Sequence, residues 1–212
     1  KFKPLQLLKE AKMRNEIVQH NFTSYKPESI FTSYLDKEDI KTNIIDEIKK
    51  SGDKQDYKTN VKAYMTDWNM ADKPGFKELH DYIINTCHYL NSLYYRKTVD
   101  LQVSNLWGMI YKKDDYAIVH DHWPALWSGV YYLRAPKGSG DLVFPQLKQR
   151  IRPKDNLLVL FRGDVRHGVE ENETDNERIC VSFNVKEEVK PVGYKDTKQT
   201  VKGTYEDVKK NI

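Results

Sequence analysis

The chain has 212 residues, 39% of them hydrophobic and 31% charged, a balance that suits one globular domain with polar arms and excludes a fibrous or low-complexity protein. A formal net charge of +4 and a pI near 8.8 are mildly basic, but the excess is spread along the chain, so there is no clear nucleic-acid surface. No window is apolar for long enough to span a bilayer, the first residues lack the apolar core of a secretion signal, and two cysteines give no disulfide framework; a cytoplasmic location is expected.

In chain order, residues 1–30 read as an arm with a short helix near residues 5–17, interrupted at Pro27. Asp36 and Asp39 open a helix carrying Ile40, Ile44, Ile45 and Ile48, and Ser51-Gly52 closes it, which reads as an N-cap and a C-terminal glycine. Residues 60–66 look like a strand. After Pro74-Gly75, a long helix over residues 76–95 places Phe76, Leu79, Ile83, Cys87, Leu90 and Tyr94 on one stripe. From Leu101 the pattern changes to short strands at residues 103–111, 117–122, 128–134, 141–144, 156–161 and 177–185, with Gly- and Pro-rich turns between them. Beyond Pro191 the sequence is polar, a loose tail or a short helix at residues 205–211. The division is one domain: an N-terminal arm and supporting helices (1–100), a strand-rich core (101–185) and a tail (186–212). Helices first and strands after predict an α+β layout, with helices outside a two-sheet jelly roll.

The chemistry concentrates in residues 111–132 and 163–182. In an extended strand, alternate side chains share a face roughly 6–7 Å apart, so His120 and His122 can lean onto one ion while Asp121 points away. A third ligand has to come from a facing strand. The apolar run Leu157-Leu158-Val159-Leu160-Phe161, followed by Gly163-Asp164, reads as a buried strand that turns just before His167. Three imidazoles on one side of a metal leave the other side open, as non-haem Fe(II) requires to hold a co-substrate and oxygen together. On the next strand, alternation puts Arg178, Cys180 and Ser182 on one face, where a forked guanidinium suits bidentate recognition of a carboxylate. A His-x-His pair alone is more often a packing or surface pair; the weight comes from all the elements occurring in order at strand ends.

At these residues the chain resembles the Fe(II)/2-oxoglutarate-dependent oxygenases, in detail their prolyl-hydroxylase-like branch and uncharacterised bacteriophage-encoded members of that type. The family's strand tyrosine, turn, second tyrosine and metal motif correspond to Tyr111, Lys112 to Asp115, Tyr116 and His120-Asp121-His122. The resemblance covers roughly residues 100–185. It implies a double-stranded β-helix (jelly roll) core with Fe(II) on His120, His122 and His167. It also implies 2-oxoglutarate as co-substrate, with Tyr111 at the C1 carboxylate end, Arg178 and Tyr132 at the distal carboxylate, and Ser182 in support. The implied reaction hydroxylates a C–H bond, with succinate and CO2 as co-products.

One position departs from the family, which usually has His-x-Asp where this chain has His122. Three readings stay open. A three-histidine site would carry one more positive charge and hold anionic 2-oxoglutarate more firmly. A strand bulge could instead turn Asp121 inward in place of His122. Or the carboxylate is missing, as in halogenating relatives, although a bulky imidazole fills the space that chloride would need.

Trp123, Pro124 and Trp127 are expected to line the mouth of the site, or to pack against the core. His80 and His88, beside the helical stripe, and His20 in the polar arm are read as structural, and Cys87 and Cys180 as buried thiols. A small-molecule or peptidyl substrate fits, with prolyl residues, free amino acids and small metabolites equally compatible. The location, if the protein is phage-encoded, would be the host cytoplasm; the sequence specifies no oligomeric state. Two competing classes are a non-catalytic jelly-roll binding protein and a cupin-type three-histidine dioxygenase without 2-oxoglutarate. The latter leaves Arg178 and Tyr132 without a common purpose.

Overall fold

The structure, a computed structural model, describes residues 23–25, 30–51, 60–95 and 99–188. The expected helix at 5–17, Pro27, His20, Gly52 and the segment beyond Pro191 lie outside the described residues. No described helix is long and apolar enough to cross a membrane.

The elements are β1 (Thr23–Tyr25), β2 (Ile30–Tyr34), α1 (Glu38–Lys50), β3 (Val61–Lys62), β4 (Tyr64–Met65) and α2 (Phe76–Leu90), which runs into a π-helical turn (Asn91–Tyr95). Then follow β5 (Leu101–Tyr111), β6 (Tyr116–His120), β7 (Trp127–Arg134), β8 (Leu142–Phe144), β9 (Gln149–Ile151), β10 (Leu157–Arg162), β11 (His167–Val169) and β12 (Arg178–Glu187). They form a seven-stranded sheet, β1-β2-β10-β7-β12-β5-β4, and a five-stranded sheet, β3-β6-β11-β8-β9. All of their pairings are antiparallel. This is the expected jelly roll with helices on the outside.

Side-chain alternation divides the large sheet into two faces. On the outer face Leu106, Ile110, Tyr131, Leu158, Leu160, Ile179, Val181 and Phe183 pack with Ile44 and Ile48 of α1 and with the predicted stripe Phe76, Leu79, Ile83, Cys87 and Leu90 of α2. On the inner face Trp107, Met109, Tyr111, Val130, Tyr132, Val159, Phe161 and Cys180 meet Leu142, Phe144 and Ile151 of the small sheet. Strands covered on both faces read as continuous apolar runs, which is why β10 is Leu-Leu-Val-Leu-Phe without alternation. Since a one-residue slip would exchange the faces, this double burial fixes the register of β5 and β12 and the direction of Arg178.

Four local expectations need correction. The N-cap of α1 is Lys37, with no side-chain capping bond, whereas Asp36 accepts a bond from Asn156 Nδ2 at 3.0 Å. Glu38 and Asp39 in the first turn still complement the helix dipole. The single strand expected at residues 60–66 is two short ones, because the chain leaves the small sheet after Lys62 and joins the large one at Tyr64. Strand β6 ends at His120, so His122 lies beyond it, held by its backbone N–H on Gly163 O at 2.8 Å. Strands β2, β9 and β11 have no counterpart in the sequence reading; β9 and β11 are three residues each, too short for a periodic signal.

Helix α1 touches the site wall through one glycine. A methyl group on Gly108, between Trp107 and Met109, would overlap the Ile48 side chain. Gly108→Ala should therefore force the helix off the sheet and destabilise the protein by about 1–3 kcal/mol, as expected for overpacking. Urea denaturation measures this; unchanged stability would contradict the packing described.

Candidate active site

Strand pairing brings the distant histidines together. His120 of β6 stands opposite His167 of β11, with an irregularity between His167 and Val169. Ring centroids are 4.5 Å apart for His120 and His167, 4.9 Å for His120 and His122, and 5.0 Å for His122 and His167. One ligand nitrogen from each ring lies within 4.8 Å of the other two, a spacing able to hold a metal ion. His120 Nδ1 is 2.7 Å from Ile118 O and His167 Nδ1 is 3.0 Å from Val165 O. A proton on each Nδ1 satisfies the carbonyl and leaves the Nε2 lone pair free, the usual way a backbone acceptor selects a ligating tautomer.

Asp121 is not part of this group. Its exposed carboxylate turns outward and accepts the Trp123 backbone N–H at 3.2 Å.

Burial, reinforced by the neighbouring His120, pushes His122 down to about 4 against the opposing pull of Asp121. His167 is pushed down to about 3, first by burial and then by His120, with the Val165 carbonyl opposing. Both rings are therefore neutral at pH 7 and can donate lone pairs. Phe161 and Phe144 pack beside His167 at 4.4 and 6.0 Å and keep that side of the site apolar.

Arg178 is fully buried. Register places it opposite Tyr111, and its guanidinium lies over the Tyr111 ring at 3.9 Å. Nη1 donates to Ser139 O at 2.5 Å and to Gly140 O at 3.0 Å, while Nε and Nη2 have no partner. Asn172, also fully buried, ties the approach to β12 back to the end of β5 by donating to Tyr111 O at 3.0 Å and Asn176 O at 2.8 Å. Burial holds the Tyr111 and Tyr132 phenols well above their ordinary range, against the pull of Arg178. Neutral hydroxyls beside an unpaired cation suit an incoming anion.

One interior cavity is lined by all seven residues selected from the sequence: His120, His122, His167, Arg178, Tyr111, Tyr132 and Ser182. The same cavity is lined by Trp107, which the sequence reading missed. Its buried indole N–H has no partner, and its ring sits 6.4 Å from that of His122. The available signal was alternation, since Trp107, Met109 and Tyr111 share the inner face of β5.

Trp127 does not line the mouth. It is fully buried and donates to Asn91 Oδ1 at 2.9 Å. Trp123 and Pro124 line a separate outer cleft. His80, half-buried beside Asp81, and His88, which burial pushes down, take no part in the site.

Solved structures share this fold. A collagen prolyl hydroxylase of Paramecium bursaria Chlorella virus-1, in complex with 2-oxoglutarate, is 20% identical, with a TM-score of 0.58 over 75% of this chain and 96% of that one. A Pseudomonas putida prolyl-4-hydroxylase is 13% identical, with a TM-score of 0.59 over 76% and 93%. A Trichoplax adhaerens prolyl hydroxylase, in complex with a hypoxia-inducible-factor peptide, is 15% identical, with a TM-score of 0.56 over 88% and 94%. Among curated proteins no sequence matches. The family model described as putative 2OG-Fe(II) oxygenase matches residues 105–152 and 146–184, the stretch that carries all seven site residues. The match supports a 2-oxoglutarate-dependent dioxygenase, and the solved structures share its fold. Fe(II) and 2-oxoglutarate are the cofactors this match supports, and the donors fit both: a cluster of three imidazoles for the metal, and a buried guanidinium with two unpartnered nitrogens for the dianion.

The depressed imidazoles of His122 and His167 set a pH dependence for the metal-free protein. The folded state refuses protons that the unfolded chain binds below about 6.5, so stability is intact above that value and falls as pH drops toward 4. Thermal unfolding of metal-stripped protein from about pH 7.5 to about pH 4.5 should show the fall, with a shallower slope in His122→Gln. A slope identical in the two proteins would contradict the assignment.

Proposed function

We propose that the oxygenase hydroxylates a substrate C–H bond from an iron centre held by His120, His122 and His167, releasing succinate and CO2. The observation that carries the reading is a single cavity lined both by the clustered imidazoles and by a buried guanidinium that lacks an anion. Bound Fe(II) would couple oxidative decarboxylation of 2-oxoglutarate to hydroxylation of the substrate.

The chain's own residues bind, orient and exclude water. Arg178 Nε and Nη2 donate to the distal carboxylate of 2-oxoglutarate, with Tyr132 beside it and Ser182 in support. Tyr111 holds the guanidinium in place with its ring face and offers its hydroxyl to the other end of the keto acid. The Ile118 and Val165 carbonyls keep the Nδ1 protons of His120 and His167 on the far side of the rings. Phe144 and Phe161 keep water from the cavity. With no carboxylate among the proposed ligands, the dianionic co-substrate would meet the full double charge of the metal as well as that of Arg178, which favours its binding.

The outward Asp121 supports the three-histidine reading over the bulged one. Because the guanidinium is buried without a counter-ion, the 2-oxoglutarate-dependent reading explains more of the site than a cupin-type dioxygenase or a non-catalytic jelly roll does. The domain division at residues 100 and 186, a small-molecule or peptidyl substrate, and the likeness to bacteriophage-encoded members are parts of the same proposal; the last rests on the sequence resemblance alone.

Two measurements test it. Fe(II) affinity should fall at least about tenfold in His122→Ala and stay unchanged in Asp121→Ala, and the reverse pattern would contradict the ligand set. Succinate formation from 2-oxoglutarate with Fe(II) should occur in the parent and be lost in Arg178→Ala, with 2-oxoglutarate binding weakened about 30-fold or more. No turnover by the parent across metals and substrate classes would favour a binding protein.

A further inference from the structure

Beside the iron and keto-acid cavity lies an outer cleft of about 320 Å³, and His122 is the one residue common to their linings. A substrate in this cleft would therefore meet the proposed metal centre at His122. The volume is at the lower end of the about 300–1,000 Å³ range of small-molecule sites.

The cleft is polar and carries both signs of charge. Asp121 and Lys186 both line it, yet they do not pair with each other, and Lys186 has no partner among the described residues. Asp121 uses Oδ1 on the Trp123 backbone, which leaves Oδ2 available. Asn184 accepts the Ser128 hydroxyl on Oδ1 at 2.8 Å, leaving Nδ2 as a donor. Trp123 is 75% exposed and supplies an apolar wall.

These residues extend the face that carries the anion site: Arg178, Cys180, Ser182, Asn184 and Lys186 alternate along one side of β12. Strand β12 is flanked by β5 along its length and by β7 as far as Val185, so along residues 179–185 a peptide cannot add to it as a further strand. Recognition in the cleft falls to side chains. An unpaired carboxylate at one place and an unpaired ammonium with an amide donor at another are complementary to a molecule bearing both charges.

We infer that this cleft is the substrate site and that it takes a free α-amino acid or a small zwitterion of the same kind. The ammonium of the ligand is received by Asp121, its carboxylate by Lys186 and Asn184, and its apolar part by Trp123. The inference rests on the iron-site reading for which bond reacts, but not for what the cleft binds.

The test uses the full chain, loaded without oxygen with Fe(II) and 2-oxoglutarate. A pool of free L-amino acids, their N-acetyl amides and a capped proline-containing peptide is screened by saturation-transfer NMR, and affinities are then measured by calorimetry. Free amino acids should bind and their capped forms should not. D121N and K186M should each weaken binding about tenfold, with Fe(II) and 2-oxoglutarate affinities unchanged. Equal binding of the capped peptide, or no free amino acid bound to protein that has taken up Fe(II) and 2-oxoglutarate, overturns the inference. If the parent fails to take up Fe(II), the iron-site reading falls, and the same pool applied to metal-free protein still decides the cleft.

Discussion

A guanidinium buried without a carboxylate is a costly feature of this fold, and much of the structure serves to keep it there. Removing a charge from water costs several kcal/mol even after relaxation. Two backbone carbonyls and the Tyr111 ring recover part of this; a desolvated cation over an aromatic face contributes about 2 kcal/mol. Two nitrogens remain unpartnered. The remaining deficit is tolerated because β12 cannot turn Arg178 outward without also turning Ile179, Val181, Phe183 and Val185 away from the helices. The hydrophobic layer under α1 and α2 thus stabilises a charge in the opposite layer. An anion in the cavity would meet donors already in place, with little reorganisation on binding.

The metal end follows from the same strand logic with different chemistry. His120 and His167 face each other because β6 and β11 pair, and each is oriented by a carbonyl two residues earlier. His122 joins them from the turn after β6, where the chain is held to Gly163. A side chain at Gly163 would collide with the Ala125 backbone, so this glycine lets the two loops meet behind the histidines. All the groups clustered here are neutral or cationic, and the nearby carboxylate faces the outer cleft instead. The proposed anion binding and the proposed three-histidine ligand set would therefore be parts of one electrostatic arrangement.

The core was legible where pattern and burial agree. The α2 stripe and the inward face of Arg178, Cys180 and Ser182 follow from periodicity, β10 from its continuous apolar run, and the sheets place them as expected. The seven site residues, chosen from the order of the histidines and arginine and from the family resemblance, line one cavity; strand alternation aims those on the strands, whereas His122 reaches it from the turn after β6. Short pieces were not legible: β9 and β11 are fixed by their partners and have no signal of their own. Proximity to the histidines left Trp127 either at the mouth or packed against the core, and the chain re-enters the large sheet at that residue and buries it. Trp107 carries no motif in the sequence, and its orphaned N–H marks it only in the fold.

The central claim is that three imidazoles hold iron while Arg178 holds the far end of 2-oxoglutarate. Anomalous diffraction at the iron edge, from crystals grown without oxygen in Fe(II) and 2-oxoglutarate, tests it most directly. The account predicts an iron peak among His120, His122 and His167, with a carboxylate of the keto acid on Arg178 Nε and Nη2. Iron bound by Asp121, or a keto acid lying away from Arg178, would contradict it.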